Sequence, residues 1–416
     1  MDRRTPTLRG GRGAVLIGLL VLGLGLHVLL VRGVFRGTAP PGCVLSHDCA
    51  ANPPGMDFYA VYHGAINLRR GVSPYRHEPD GVTPGFYAFR YLPGVAQAAQ
   101  PLTRLAPEHA RLLWCAVTEA TLVAVLIALG WAARDPWRWL LGASLLLLGF
   151  PLVVELHMGQ FTFVATALLV LGLLGPAWAP LYGLGVALKG YPLVAAPALL
   201  RSRRLWPQLA FAAVLVAAAA LPWFLDHPDD ARGYWSTNIT HLVPAYSAGN
   251  VGMLNLVFQV WRLVGGGPPH PAWEHGITLA RLAVLGATTI AALGTRERAP
   301  LLAASALVLA HFLTYPHVWE HHMSAVILLG AAWEATGQPG ERLRGAALVC
   351  LVLLAAPLPS ALLGVLGPDP AGLAAGHGHP LAPLLASLAK ALPTLGLYLI
   401  AMRRLLARGL TWPTLH

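Results

Sequence analysis

The sequence predicts an all-α integral membrane protein, a polytopic bundle of about 10–12 helices that each cross a hydrocarbon core ~30 Å thick. Of the 416 residues, 56% are apolar and only 11% are charged, whereas about 25% of the residues in a soluble globular protein are charged. Apolar stretches also alternate with short arginine clusters along the whole chain. This composition excludes a soluble enzyme, and we expect residues 1–416 to form a single membrane domain.

Eleven apolar stretches come close to the length of about 20 residues that a membrane-spanning helix needs. The first resembles a signal peptide, but it is too long and lacks a clear small-residue cleavage site, so we expect it to remain as a membrane helix. The last five form a C-terminal group of membrane helices within residues 276–404. The stretches cover residues 13–34, 109–132, 137–155, 160–176, 180–200, 205–225, 276–294, 299–315, 319–335, 345–365 and 382–402.

The arginine clusters predict the topology. A net charge of +11 would point to nucleic acid in a soluble protein, but cytoplasmic loops of membrane proteins carry an excess of Lys and Arg. We therefore expect a multi-pass protein of the cytoplasmic (inner) membrane with both termini cytoplasmic and no nucleic-acid partner. Two long segments, residues 35–108 and 226–275, then lie outside. The clusters occur at residues 3–12, 134–138, 201–204, 296–298, 342–344 and 403–408.

One part of this topology is inconsistent. Arg138 and Arg201 both belong inside, which requires an even number of crossings, yet three apolar stretches lie between them. One of the three therefore cannot be a full crossing. The stretch up to Leu200, which Gly190, Pro192 and Pro197 interrupt, and a shallow segment near Gly159 are the two candidates. Irregular backbone at membrane depth is tolerated where it is buried in protein or lines a cavity.

Both long outer segments contain amphipathic runs that favour helices at the membrane surface. The second run extends from Met253 to Val264. The first begins at Asp57 and has Gly71 as a stop signal. Its apolar residues recur at helical spacing: Phe58, Val61, Tyr62, Ala65 and Ile66.

Polar side chains gather in the outer segments and at outer helix ends, whereas the inner loops contain little beyond arginine. Ionisable groups at membrane depth are costly and are functional candidates by default, so we expect the chemistry at the outer face. The residues concerned are Asp57, Tyr59, His63, Glu155, His157, Gln160, Asn238, His241, Tyr246, Asn250, Tyr315, His317, Glu320, His321 and His322.

Asp57 has two interpretations from these residues alone. As the N-cap of a helix, it would accept hydrogen bonds from the first unpaired amide groups. As a carboxylate facing a cleft at the membrane surface, it could accept a proton from an incoming hydroxyl group. Glu155 and Glu320 are the reserve candidates for the second role.

Several motifs in this order resemble the polyprenol-phosphate-mannose-dependent α-mannosyltransferases of glycosyltransferase family eighty-seven. Leu92 stands where that family often has a second proline, and Val251-Gly252 where it often has Gln-Ser. The matching motifs are Asp57 through Gly71 with Ser73-Pro74-Tyr75, Tyr91-Leu92-Pro93 ahead of Trp114, Gly159-Gln160, Gly183-Leu-Gly-Val-Ala-Leu-Lys189 followed by Pro192, Gly249-Asn250, and Tyr315-Pro316 with Trp319, His321 and His322.

The resemblance implies a GT-C-type bundle with amphipathic surface helices and a polyprenyl-phosphate-linked sugar donor. The implied activity is transfer of a hexose, expected to be mannose, to a lipid or glycan acceptor at the outer face by direct displacement with inversion. No metal cofactor is expected, because His317, His321 and His322 lie at one helix end and do not form a cage. The implied site residues are Asp57 as catalytic base, His322 with His321 and Lys189 at the donor phosphate, Gln160 and Asn250 at sugar or acceptor, and Tyr62 at substrate.

A polytopic transporter or flippase of lipid-linked substrates is the alternative. It predicts polar residues along a path through the bilayer and an internal repeat, and no repeat is visible in the sequence. Separately, Cys43 and Cys49 lie in the first outer segment, where an oxidising envelope would favour a disulfide. Cys115 and Cys350 lie in apolar stretches and are expected to be free thiols.

Overall fold

The computed structural model describes residues 11–38, 53–76, 81–82, 89–133, 135–175, 179–240, 249–266, 272–294, 300–337, 345–366 and 381–407. These residues contain helices and no β-strand. The α-helices are α1 (Gly11–Phe35), α2 (Met56–Arg69), α3 (Pro93–Ala99), α4 (Pro107–Ala132), α5 (Pro136–Leu147), α6 (Phe150–Met158), α7 (Thr162–Leu174), α8 (Ala179–Leu188), α9 (Ala196–Leu200), α10 (Trp206–Asp226), α11 (Pro228–Trp235), α12 (Met253–Leu263), α13 (Ala272–Gly294), α14 (Pro300–Thr314), α15 (Met323–Thr336), α16 (Ala346–Ala355), α17 (Leu358–Leu366) and α18 (Leu381–Ala407).

Five helices are long and apolar enough to cross a membrane, and the number becomes six if the bent pair α5 and α6 is one span. The all-α multi-pass membrane class predicted from the sequence is therefore confirmed. Full span length is reached at five of the eleven predicted stretches, in α1, α4, α10, α13 and α18. Glycine and proline end the helices early at the others, because proline lacks an amide hydrogen and glycine favours non-helical backbone.

The stretch between residues 180 and 200 makes two short passes rather than one. α8 runs antiparallel to α7, so that Lys189 bonds to Thr162 at the start of α7. The chain then reverses through Gly190 into a 3₁₀-helix, Tyr191–Ala195, and α9. Trp206 donates a hydrogen bond to the Leu200 carbonyl, and Gln208 donates one to Gly172 near the end of α7. Both ends of the stretch therefore lie on the same side, and the even number of crossings is restored.

A buried ion pair stabilises one end of the bundle, the end that the arginine clusters predict to be cytoplasmic. Nε of Arg138 donates to Oε1 of Glu334 over 3.0 Å, and the same guanidinium donates to the Gly337 carbonyl. Arg404 lies over the ring of Trp333, 4.7 Å from its centroid. Arg134 and the clusters at residues 3–9, 296–298 and 342–344 lie outside the described residues. We call this end of the bundle the inner end and the other the outer end.

The outer segments contain a helix at each of the two predicted runs. α12 is amphipathic as predicted, whereas the prediction is wrong for α2, in which nine of the 14 residues are buried and the apolar residues do not form one face. α2 runs from Met56 to Arg69 and is followed by Gly71 in the left-handed conformation, with φ 73°, and α12 runs from Met253 to Leu263. α12 buries Asn255 and Gln259 against the bundle while Val257 and Val260 are exposed. An exposed apolar face beside a buried polar one is what a helix in contact with lipid requires.

A buried carboxylate joins the two outer segments. Asp230, at the start of α11, is fully buried and accepts hydrogen bonds from Ser73 Oγ over 2.7 Å and from Arg76 Nε over 2.9 Å. Its second oxygen accepts from Trp223 Nε1 over 2.9 Å. Because a buried charge is stable only when it is paired and hydrogen-bonded, this cluster keeps the first outer segment on top of α10.

The structure confirms one of the two predictions about the cysteines. Cys115 and Cys350 are free thiols, as expected for cysteines in apolar helices. Cys43 and Cys49 lie outside the described residues, so the disulfide between them stays a prediction.

Candidate active site

Asp57 lies in the first turn of α2, but it is not the N-cap of that helix. The cap position is Gly55, which has a left-handed backbone with φ 83°, and no side chain accepts the cap hydrogen bond there. The N-cap interpretation of Asp57 is therefore wrong. A left-handed φ strains residues that carry a Cβ, so glycine occupies the cap and leaves the Asp57 carboxylate for other contacts.

The start of α2 is held against the end of α6. The Gly55 amide donates to the His157 carbonyl over 2.7 Å, and Gly159 ends α6 in the left-handed conformation with φ 64°. A Cβ on Gly159 would lie 2.7 Å from Cβ of Phe58. This close approach places Asp57 beside the residues that follow α6, and it explains the glycine of the Gly159-Gln160 motif.

Gln160, Lys189, Thr162 and Tyr91 form a hydrogen-bonded group near Asp57, which we call the Lys189 cluster. Lys189 Nζ donates to Gln160 Oε1 over 2.8 Å and to Thr162 Oγ1 over 2.6 Å. The same Gln160 oxygen accepts from the Tyr91 hydroxyl over 3.3 Å. Asp57 interacts electrostatically with both Lys189 and Tyr91. Residues from four separate parts of the chain therefore meet at the outer end.

His321 and His322 belong to a short 3₁₀-helix that precedes α15. Their rings are 4.3 Å apart. His322 Nδ1 accepts a hydrogen bond from the Trp319 amide over 3.0 Å, which leaves the proton of the neutral ring on Nε2. Burial lowers the pKa of His322 well below its ordinary value, and the neighbouring His321 and Lys189 lower it further. His322 is therefore a neutral hydrogen-bond donor at physiological pH.

The three candidate carboxylates differ in exposure. Glu155 is 0% exposed and accepts hydrogen bonds from the Phe163 amide over 2.7 Å and from Ser324 Oγ over 3.1 Å. Glu320 is 4% exposed and pairs with Lys390 Nζ over 3.4 Å. Asp57 is partly exposed. Asp57 is thus the most exposed residue of the three, with its Oδ2 atom buried.

Two predicted substrate residues make structural contacts. Asn250 Nδ2 donates to the Pro316 carbonyl over 2.6 Å, and its Oδ1 accepts from the Gly252 and Val318 amides over 3.0 and 3.3 Å. Asn250 therefore joins two outer loops. The Tyr62 hydroxyl donates to the Leu105 carbonyl over 2.9 Å, away from the Lys189 cluster. Substrate contacts by either residue stay predictions.

A layer of stacked rings near the same site was missed by the sequence analysis as a functional feature. His311 stacks on Tyr315, with centroids 5.0 Å apart, and on Tyr191, with centroids 5.8 Å apart. Arg281 lies over the ring of Tyr315, with its Cζ 5.7 Å from the centroid. The sequence signal for Arg281 was available, because it is a cation inside an apolar helix.

Among the described residues, no group of three or more His, Cys, Asp or Glu side chains could hold a metal ion. His241 and Tyr246, two of the polar residues of the second outer segment, lie outside the described residues. Metal independence stays a prediction.

Comparison with known proteins decides the family. The model of glycosyltransferase family 87 matches residues 89–316, more than half of the chain. This chain belongs to glycosyltransferase family 87. The membership, together with the helices of membrane-spanning length, makes it a membrane glycosyltransferase and speaks against the transporter alternative.

One solved structure can be set beside this family 87 chain. It is the crystal structure of ArnT from Cupriavidus metallidurans in the apo state, with a TM-score of 0.41 and 14% sequence identity over 95% of this chain and 76% of the ArnT chain. At this level the similarity alone assigns neither fold nor activity. No functionally curated protein matches the chain.

Proposed function

We propose that this family 87 glycosyltransferase transfers mannose from a polyprenyl-phosphate-linked donor to a lipid or glycan acceptor at the outer face of the cytoplasmic membrane. The reaction is a direct displacement with inversion at the anomeric carbon. The donor's polyprenyl tail lies in the bilayer, and its phosphate lies at the level of the outer helix ends. The sugar follows from the family resemblance, and the side follows from the arginine clusters.

The observation that carries the proposal is the difference between Asp57 and the two buried glutamates. A general base must come within hydrogen-bond reach of the hydroxyl that it deprotonates. Glu155 is buried and bonded through both oxygens, and Glu320 is buried beside Lys390. Asp57 combines partial exposure with an electrostatic interaction with Lys189, so base and cation can act on one bound substrate.

The proposed reaction assigns one task to each group. Asp57 takes the proton of the acceptor hydroxyl as its oxygen bonds to the anomeric carbon. The bond from that carbon to the phosphate oxygen breaks, and the electron pair leaves with the polyprenyl phosphate. Lys189 and the Nε2–H of neutral His322 stabilise the charge that develops on the phosphate, since donors directed at developing charge lower the barrier. One base suffices, because the phosphate leaves as an anion and needs no carboxylic acid to protonate it, unlike the leaving group of a glycosidase.

The donor class can be tested with the purified protein in lipid nanodiscs. Membrane lipids extracted from the same cells supply the acceptor, and the donors are polyprenyl-phosphate-mannose, polyprenyl-phosphate-glucose and GDP-mannose, each with and without EDTA. We expect transfer from polyprenyl-phosphate-mannose that EDTA leaves unchanged. Transfer from GDP-mannose alone would contradict the donor class, and preference for the glucose donor would contradict the sugar.

A further inference from the structure

Arg281 is a cation in an apolar helix, and no described acidic residue pairs with it. It lies in α13 within the candidate span His275–Gly294 and is half-buried. Within the described parts of the chain, its guanidinium forms no hydrogen bond or ion pair and contacts the face of Tyr315. Charged residues at such positions are costly, and those that persist usually mark a path or a binding site. None of the described acidic side chains neutralises this charge, which leaves the guanidinium able to bind an anion.

The stacked rings connect Arg281 with the Lys189 cluster. We call Tyr315, His311 and Tyr191 the aromatic layer. Arg281 lies at its Tyr315 end, and at the Tyr191 end the tyrosine hydroxyl donates to the Thr162 carbonyl over 2.9 Å. Lys189 donates to the side chain of the same threonine. The same rings thus connect Arg281 with Lys189, and Tyr315 also interacts electrostatically with Tyr91, which bonds to Gln160.

His311 lies between these cations and has a buried ring nitrogen without a hydrogen-bond partner. It is 6% exposed, interacts electrostatically with Arg281 and Lys189, and its Nδ1 has no hydrogen-bond partner among the described residues. A buried polar atom normally finds a partner in protein, water or ligand. Its orphaned state here is a second, independent sign that a ligand completes this side of the site.

We propose that Arg281 is a second cationic contact for the phosphate of the polyprenyl donor, held in place by the ring of Tyr315. This inference rests on the proposed function. A guanidinium suits phosphate because its planar fork can donate two parallel hydrogen bonds to two oxygens. The phosphate changes from a diester with one charge to a monoester with two as the sugar leaves, so a second cation favours the leaving group over the bound donor.

A phosphate could also come from the headgroup of an ordinary bilayer lipid, toward which an arginine near a helix end can extend. The position at one end of the aromatic layer favours the donor. The two sources differ in a measurable way, because the donor's product is a polyprenyl monophosphate and bilayer phospholipids carry phosphodiesters.

The test measures binding of a polyprenyl monophosphate and of the matching polyprenol to wild type and variants in phosphatidylcholine nanodiscs. We expect Arg281→Gln to weaken monophosphate binding about tenfold or more, as charged hydrogen bonds contribute strongly, and to leave polyprenol binding unchanged. Arg281→Lys keeps the charge but loses the fork, so we expect an intermediate loss. Arg262→Gln, which removes an exposed arginine of α12, is the matched control and should bind as wild type does.

The outcomes separate the inference from the function on which it rests. Equal affinity of wild type for monophosphate and polyprenol would contradict the proposed donor. A phosphate preference that both Arg281 variants retain would overturn the role of Arg281 and leave the donor class standing. Native mass spectrometry tests whether Arg281 binds bilayer lipid instead. If Arg281→Gln loses co-purified phosphatidylglycerol while its monophosphate affinity is unchanged, the arginine binds a bilayer phospholipid and not the donor. If Arg281→Gln does not fold, Arg281→Lys decides.

Discussion

At the residue scale, accessibility distinguishes the candidate bases more clearly than chemistry does. All three are carboxylates at the outer end, yet hydrogen bonds from Phe163 and Ser324 engage both oxygens of Glu155, and Lys390 pairs with Glu320. A buried carboxylate whose two oxygens both accept internal hydrogen bonds, as in Glu155, is a poor proton acceptor. Asp57, in contrast, follows a glycine cap and interacts electrostatically with Lys189.

The first prediction is that Asp57→Asn abolishes transfer while donor binding is retained. Asparagine keeps the size of the side chain and cannot take the hydroxyl proton, and general-base help is typically worth ~10²–10⁴ in rate. Single-turnover transfer and donor affinity are measured on the same preparation. Asp229→Asn is the control, because it neutralises an exposed carboxylate of α11 outside the site. Near-normal turnover by Asp57→Asn would move the base to Glu155 or Glu320.

The second prediction concerns His322 and pH. The pKa of His322 is lowered in the folded protein by burial, so the unfolded chain binds more protons once the pH falls below about 6.5. Folding stability therefore decreases as the pH falls through that value. His322→Gln does not titrate, and its amide can accept the Trp319 hydrogen bond. We expect its melting temperature to drop less than that of wild type between about pH 7.5 and about pH 5.5.

Parallel melting curves of wild type and His322→Gln check this expectation, and the other histidines cancel in the comparison. Equal drops would mean that His322 is not held neutral by the fold. The same variant also tests the donor phosphate contact, since glutamine can donate one hydrogen bond in place of Nε2–H. Donor affinity should then fall less in His322→Gln than in His322→Ala.

At the element scale, two glycines position the catalytic helix. Gly55 caps α2 and Gly159 ends α6, both with a left-handed backbone, and the two glycines lie next to each other because a Cβ on Gly159 would come within 3.5 Å of Gly55 Cα. A surface helix gains little stability from propensity alone and depends on tertiary packing. Its register over the site is thus set by this contact and by the Asp230 cluster.

The third prediction is that Gly159→Ala displaces Asp57. The new Cβ would lie 2.7 Å from Phe58 Cβ, and a left-handed φ strains alanine by about 1–2 kcal/mol. We expect a lower melting temperature and a loss of turnover larger than the loss of donor affinity. Gly233→Ala on α11 is the control, since a Cβ there meets no atom within 4 Å. Full activity in Gly159→Ala would show that α2 does not depend on this approach.

At the scale of the whole molecule, charge separates the two ends of the bundle. The inner end has the Arg138–Glu334 pair and Arg404 over Trp333, and these groups are satisfied within the protein. The outer end has partly exposed polar groups above the Lys189 cluster. A transporter would need such groups on a path between the two ends, whereas a transferase needs them at one end.

The fourth prediction tests the orientation. In a variant without Cys43, Cys49, Cys115 and Cys350, a single cysteine replaces an exposed residue at either end. Ala106→Cys, just before α4, should react with a membrane-impermeant maleimide in spheroplasts, because α4 begins at the outer end. Arg203→Cys, before α10, should react after permeabilisation and not before. The reverse pattern would invert the bundle and place the site in the cytoplasm.

The sequence by itself determined the membrane class, the approximate positions of the apolar segments and the positions of the outer helices α2 and α12. Apolar length and helical spacing are local properties, so they can be read along the chain. The same reasoning found Asp57, Lys189, Gln160 and the two histidines as candidates through motif order. It also detected that the stretch before Arg201 could not be a single crossing.

Only the tertiary structure decided how these candidates differ. It assigned the cap of α2 to Gly55, showed that Asn250 bonds to a loop 66 residues away, and brought Arg281 to the aromatic layer. It also resolved residues 180–200 into two passes. Burial and hydrogen-bond partners come from parts of the chain that are far apart in sequence, as with Arg138 and Glu334, 196 positions apart. No local pattern records such a contact, and the accessibility of Asp57 depends on several of them at once.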